Sequence, residues 1–170
     1  QNVEKVWVIS VGVSKYNQSF HPLQKSAEHA KALADNLRKA RPLTTEVILL
    51  TTDSEDENLQ PTSVNILRTL DRLNGRVKPN DLIIFYFSGH GIEQGNQQYL
   101  LMRDADLSSP ELIQRSTISL ADLRKRLESL NTNGRLLLLD ACRETVESLK
   151  TSGGVSGASA ISKDFLVAGG

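Results

Sequence analysis

A chain of 170 residues suits one domain with a single sizeable core and would crowd two. Twenty basic and twenty acidic side chains cancel with no Lys/Arg cluster, so neither nucleic acid nor an anionic membrane is an expected partner. The apolar stretches are strand-sized, far short of the ~20 residues that span a bilayer, and the N-terminus has no signal-peptide pattern. With one cysteine and hence no internal disulfide, this agrees with a cytoplasmic location.

In chain order, Val6–Val13 is β-branched and apolar, a buried strand that runs into the loop Ser14–Asn17. Ala27, Ala30, Leu33, Ala34 and Leu37 then recur at helical spacing and stop before Pro42, which predicts an amphipathic crossover helix. A second short strand, Glu46–Thr51, leads to the acidic loop Asp53–Asn58, most simply a solvated one. Thr62 or Ser63 caps a helix with Val64, Leu67 and Leu70 as its buried positions, closed by Asn74-Gly75. Asp81–Phe87 is the third buried strand, and Gln97–Met102 is a short strand in an excursion that ends at Asp104-Ala-Asp106. Ser119 with Asp122 starts a helix whose stripe is Leu120, Leu123, Leu127 and Leu130, and Arg135–Leu139 follows as another strand. Glu144–Lys150 reads as a short helix, residues 151–162 as a flexible linker and Asp164–Gly169 as one more strand. Strands alternating with helices argue an α/β fold, an open sandwich with a mostly parallel sheet and helices on both faces.

Two of these strands carry reactive residues at their exits. Asp81–Phe87 runs into Ser88-Gly-His-Gly91, and Arg135–Leu139 runs into Asp140-Ala-Cys-Arg143. The carboxyl ends of parallel strands open side by side on the edge where ligands bind, so His90 and Cys142 become neighbours. A thiol is mostly protonated near neutral pH; an imidazole beside it takes the proton and later protonates a leaving amine. Gly89 and Gly91 let backbone approach a substrate closely. The N–H groups of Gly91 and Cys142 are the candidate oxyanion donors, each such donor commonly worth about 10²–10³ in rate. Taken alone, Cys142 also reads as a small core hydrophobe. Taken with a histidine 52 positions upstream, it fits a nucleophile paired with a histidine about 50 residues before it.

Phe-Ser-Gly-His-Gly at 87–91 and Leu-Asp-Ala-Cys-Arg at 139–143 resemble the two active-site signatures of the caspase-like cysteine peptidase superfamily, closest to bacterial metacaspase-like proteins (orthocaspases) and paracaspases. Val-Gly-Val-Ser-Lys-Tyr at 11–16, Ala27–Leu33 and residues 98–106 add weaker support. The resemblance implies a three-layer α-β-α sandwich and one large-subunit-like catalytic domain over residues 1–170, incomplete at its C-terminus. His90 and Cys142 would be the catalytic dyad, with no side-chain third member. Asp140 and Ser88 would wall a pocket for Arg or Lys before the scissile bond, where a carboxylate pairs with the cation. The bland alternative for Asp140 is a carboxylate accepting N–H groups of the following turn. Where the family has an aspartate in its first helix this chain has Glu28-His29-Ala30, so the second pocket acid is either missing or displaced to Glu28. His29 and Glu28 also read as an exposed helix turn.

The resemblance extends to regulation. A linker at 151–162 flanked by Lys150 and Lys163 sits where caspase-like enzymes are often cleaved, so self-processing and an uncleaved loop are both open. Several metacaspases need calcium; Asp104 and Asp106 lie in the matching region, but residues 92–98 replace the acid-rich insertion, which counts against calcium dependence. No metal or other cofactor is expected. The expected partners are a protein or peptide substrate and a C-terminal small-subunit-like piece or regulatory domains. The alternative function is a catalytically silent caspase-like interaction or scaffold module, and a flavodoxin-like small-molecule binder is a third reading.

Overall fold

A computed structural model describes residues 2–146, 149 and 166–167. Four parallel strands form the centre: β1 (Val6–Gly12), β2 (Thr45–Thr51), β3 (Leu82–Gln94) and β6 (Gly134–Glu144). Their order is β2-β1-β3-β6, and β7 (Leu166–Val167) pairs antiparallel with β6. Where β1 ends, the upper part of β3 continues alone on that side and pairs antiparallel with β4 (Gln97–Leu101), which in turn carries β5 (Thr117–Ser119). The sheet is therefore mostly parallel, as the alternation of elements predicts.

Every residue of β1 is buried, as a strand covered on both faces requires. On one face Val6, Val8 and Ile84 pack with Leu37 of α1 (Ser26–Ala40). On the other, Trp7, Ile9, Val11, Ile83, Phe85, Phe87, Leu137 and Leu139 pack with α2 (Ser63–Leu73) and α4 (Leu120–Ser129). Helices on both faces complete the three layers. The alanine stripe of α1 (Ala27, Ala30, Ala34) lets that helix sit close on β1, where Ser10 Oγ donates to Ala30 O at 2.7 Å. Gly12 is part of the same contact, because a Cβ there would lie 2.5 Å from Ser26 O and 2.8 Å from Ala27 Cα. The helix has no side-chain cap at Lys25; Ser14 Oγ, from just past β1, accepts from Ala27 N at 2.9 Å instead.

Three differences from the sequence reading have physical causes. α2 is capped by Thr62, one of the two expected residues, but Val64 is exposed, while Ile66 and Leu73 join Leu70 in its buried stripe with Leu67 at the flank. The pattern admits two phases, and the buried one is i, i+4, i+7. Residues 110–119 hold α3 (Pro110–Ser116) and β5, neither of which apolar periodicity reveals, since α3 buries Ile113 alone. Ser109 accepting from Leu112 N, with Pro110 opening the helix, is the signal that was there to be read. Finally, β3 and β6 do not stop at Phe87 and Leu139 but continue paired to Gln94 and Glu144. The reactive residues therefore sit within the last third of each strand, not beyond its end.

The base of the central pair is pinned by Asp81, 4 % exposed, whose Oδ2 accepts from Trp7 Nε1 and from Lys78 N, both at 2.9 Å. Replacing Asp81 with Ala leaves the buried Trp7 Nε1–H without its acceptor, which costs about 1–3 kcal/mol, while Lys78 N sits at an exposed residue. Urea unfolding of Asp81→Ala is expected to show a loss of about 1–3 kcal/mol with unchanged slope. A midpoint equal to that of the parent would refute this role.

The short helix expected over 144–150 falls partly outside the described residues; Leu149 N donates to Thr145 O at 3.2 Å, one helical turn. Lys150, Lys163 and the 151–162 linker lie outside them. No helix among the described residues is long and apolar enough to cross a membrane.

Candidate active site

The parallel ladder of β3 and β6 sets the geometry. Its register pairs Ser88 with Asp140, His90 with Cys142 and Gly91 with Arg143. Two rows of candidate residues thus stand about 6–7 Å apart along the strands, one for chemistry and one for recognition.

In the upper row, His90 is 2 % exposed. Its ring is fixed from the loop after β1, where Nε2 lies 2.7 Å from His21 O. A carbonyl only accepts, so Nε2 carries the proton and donates, leaving Nδ1 as the lone-pair nitrogen of the neutral ring. The backbone N of His90 donates to Tyr16 Oη at 2.8 Å, and the Tyr16 and His90 rings lie 5.2 Å apart. Phe20 packs edge-on against Tyr16 and backs this wall. Glu144 Oε1 is 3.4 Å from His90 Nδ1 but outside hydrogen-bond geometry, so Nδ1 makes no hydrogen bond among the described residues. With a protonated imidazole, this contact would be an ion pair.

Gly91 stands in two ladders, opposite Leu100 of β4 and Arg143 of β6. Pairing continues one step further, at Ile92 and Glu144. Gly91, the expected oxyanion donor, thus lies inside the ladder and not beyond its end.

In the lower row, Asp140 gathers side chains. Its Oδ2 accepts from Tyr86 Oη at 3.3 Å and from Ser88 Oγ at 3.4 Å, and His29 Nδ1 lies 3.5 Å away. Burial, with Asp140 adding to it, pushes the Tyr86 hydroxyl up to about 12, so Tyr86 remains a donor throughout the neutral range. The partners of Asp140 are side chains of β3 and α1, and β6 runs on past it without a turn. The Asp140 carboxylate is 37 % exposed, which leaves it open to an incoming group. Glu28 is exposed, and His29, the next residue, is the one that meets Asp140.

The acidic residues weighed for calcium accept hydrogen bonds from backbone N–H groups. Asp104 Oδ1 accepts from Ser63 N at 2.9 Å at the start of α2, and Asp106 Oδ1 accepts from Ser108 N at 2.9 Å. No group of three or more His, Cys, Asp or Glu placed to hold a metal occurs among the described residues.

Tyr16, His21, Tyr86 and Glu144 were not singled out by sequence. His21 acts through its carbonyl, which any residue carries, so no sequence signal exists for it. Tyr16 lies in the Val-Gly-Val-Ser-Lys-Tyr stretch, which did mark the segment. Tyr86 looks like one more aromatic in an apolar strand, and its place beside Asp140 comes from register alone.

Comparison with known proteins bears on this arrangement. The family model described as caspase domain matches residues 5–168. The chain is 47 % identical over 45 residues to Metacaspase-1A of Aspergillus oryzae, a segment covering 26 % of this chain and 11 % of that protein. It is 44 % identical over 46 residues to Metacaspase-1A of Aspergillus terreus, covering 27 % and 11 %. The shared segment thus spans only a tenth or so of these relatives' length. A crystal structure of a protein from Geobacter sulfurreducens superposes with a TM-score of 0.61 over 83 % of this chain and 52 % of that one, at 15 % identity, a likeness of fold alone. With the family model running from β1 through β7 and the predicted three-layer sheet in place, the chain belongs to the caspase domain family, within the caspase-like superfamily of cysteine peptidases.

Proposed function

We propose that this chain is a cysteine endopeptidase of orthocaspase type that cleaves peptide bonds after Arg or Lys with Cys142 as nucleophile and His90 as its proton partner. The observation that carries this reading is the register of β3 and β6, which pairs His90 with Cys142 in one ladder row. The Nε2–H to His21 O bond supports it further, since it leaves Nδ1 as the nitrogen able to accept a proton. In the acylation step the thiolate adds to the scissile carbonyl, backbone N–H groups of Gly91 and Cys142 receive the oxyanion, and the imidazolium gives its proton to the departing amine. Water, deprotonated by the same imidazole, then hydrolyses the thioester.

Asp140, with Ser88 and Tyr86 behind it, supplies a negative pocket one row below the nucleophile. Lys or Arg side chains span that distance, which is why a basic residue before the scissile bond is the proposed preference. A cytoplasmic location, no metal requirement, cleavage beside Lys150 or Lys163 in the linker, and association with a C-terminal small-subunit-like piece or regulatory domains belong to the same reading.

The test is turnover of fluorogenic peptides with Arg, Lys or Asp before the reporter. Cys142 is the one cysteine of the sequence, so a thiol-alkylating reagent acts as a site-directed probe. Hydrolysis of the Arg and Lys peptides that alkylation abolishes is the expected result. A second reading, a silent scaffold module, is favoured by the closed pairing of Gly91 with Arg143 and by His29 in the pocket. Absence of turnover in all peptides under all activating conditions would select it.

A further inference from the structure

The pocket has an unusual wall. His29 lies on the exposed side of the first turn of α1, with its side chain 51 % exposed and its Nδ1 3.5 Å from Asp140 Oδ2. A neutral imidazole leaves the carboxylate its full negative charge. A protonated one becomes a resident cation on the very oxygen cluster that a substrate's ammonium or guanidinium would approach. Histidine is the side chain whose charge changes within about pH 5–8.

We propose that His29 is a specificity-determining residue that sets the net charge of the Asp140 pocket, admitting basic side chains when neutral and turning them away when protonated. This rests on the reading of Asp140 as the receptor of a basic residue. The charged and titratable groups around His29 are few. From the sheet, Asp140 of β6 faces it directly, and the Tyr86 hydroxyl of β3 stands on the same carboxylate. On α1 its neighbours are Glu28, adjacent in sequence, and Lys25, one turn earlier, whose carbonyl accepts from His29 N at 2.8 Å; both side chains are exposed. Water screens those two more than it screens the close contact with Asp140. His90, two residues beyond Ser88, belongs to the chemistry row, so its protonation affects turnover and must be separated from binding.

Binding measured without turnover achieves that separation. Calorimetry on the Cys142→Ala chain, with a short arginine-containing peptide and its norleucine counterpart, reads the pocket alone. On acidification from about pH 8 to about pH 5, affinity for the arginine peptide is expected to fall roughly fivefold, the scale of an exposed charge pair. The norleucine peptide should bind equally across that range. Adding His29→Gln, a polar and uncharged replacement at an exposed position, should make the arginine peptide's affinity independent of pH. Equal pH dependence with and without His29, or no binding of the arginine peptide at any pH, overturns the proposal. The parent chain's turnover decides the other question: pH-linked binding without turnover keeps the role of His29 and sinks the peptidase reading. Alkylation-sensitive turnover with an unchanged pH dependence of binding in His29→Gln does the reverse.

Discussion

Replacing His90 with alanine is expected to lower kcat by about 10²–10⁴ with KM little changed, the usual contribution of a positioned proton-transfer group. Replacing Cys142 with alanine should remove covalent turnover altogether, because no other thiol exists in the sequence. The two effects should not multiply, since each residue works only through the other. The magnitude expected for His90 follows from how it is held. Its backbone is anchored on Tyr16 and its ring on the His21 carbonyl, so the free nitrogen is presented without rotational search. Single-turnover and steady-state kinetics with a basic-residue peptide would measure the loss. Activity in His90→Ala within about tenfold of the parent would remove His90 from the chemistry.

The second large effect is one of selectivity. Asp140→Asn keeps the shape of the side chain and removes its charge. It is expected to reduce kcat/KM for Arg and Lys peptides by about 10–10²-fold, while peptides with a neutral residue at that position change little. Fully buried charge pairs lose more, but the 37 % exposure of Asp140 means solvent screens part of the attraction. The hydroxyls of Tyr86 and Ser88 rotate to suit an amide, so the variant keeps its local hydrogen bonds. Parallel losses on neutral and basic peptides would show that Asp140 supports the ladder and does not read the substrate.

Much of this was legible in the sequence, for reasons that can be named. β1 and the lower halves of β3 and β6 announce themselves as continuous apolar runs, because strands covered on both faces have no polar side to show. α4 was fully legible, with Ser119 capping Asp122 N and four leucines on one stripe. What stayed hidden depends on pairing between distant segments. Ser88-Gly-His-Gly91 carries no alternation, and it is strand because β6 pairs with all four residues, with β1 beside Ser88 and β4 beside Gly91. The His29 to Asp140 contact joins residues 111 positions apart, and nothing local in Glu28-His29-Ala30 tells which of the two side chains turns toward the sheet.

β3 is paired with β6 from Leu82 to Ile92, and on its other flank with β1 up to Ser88 and with β4 from Gly91. β6 is gripped by β3, and on its far flank its described pairing is with β7 at Leu136 and Leu137, well below Cys142. Among the described residues, the histidine's strand is thus paired on two flanks, and the cysteine's strand has its second neighbour only at its lower end. Under the proposed reading, a partner acting on β6 would therefore shift Cys142 before it shifts His90.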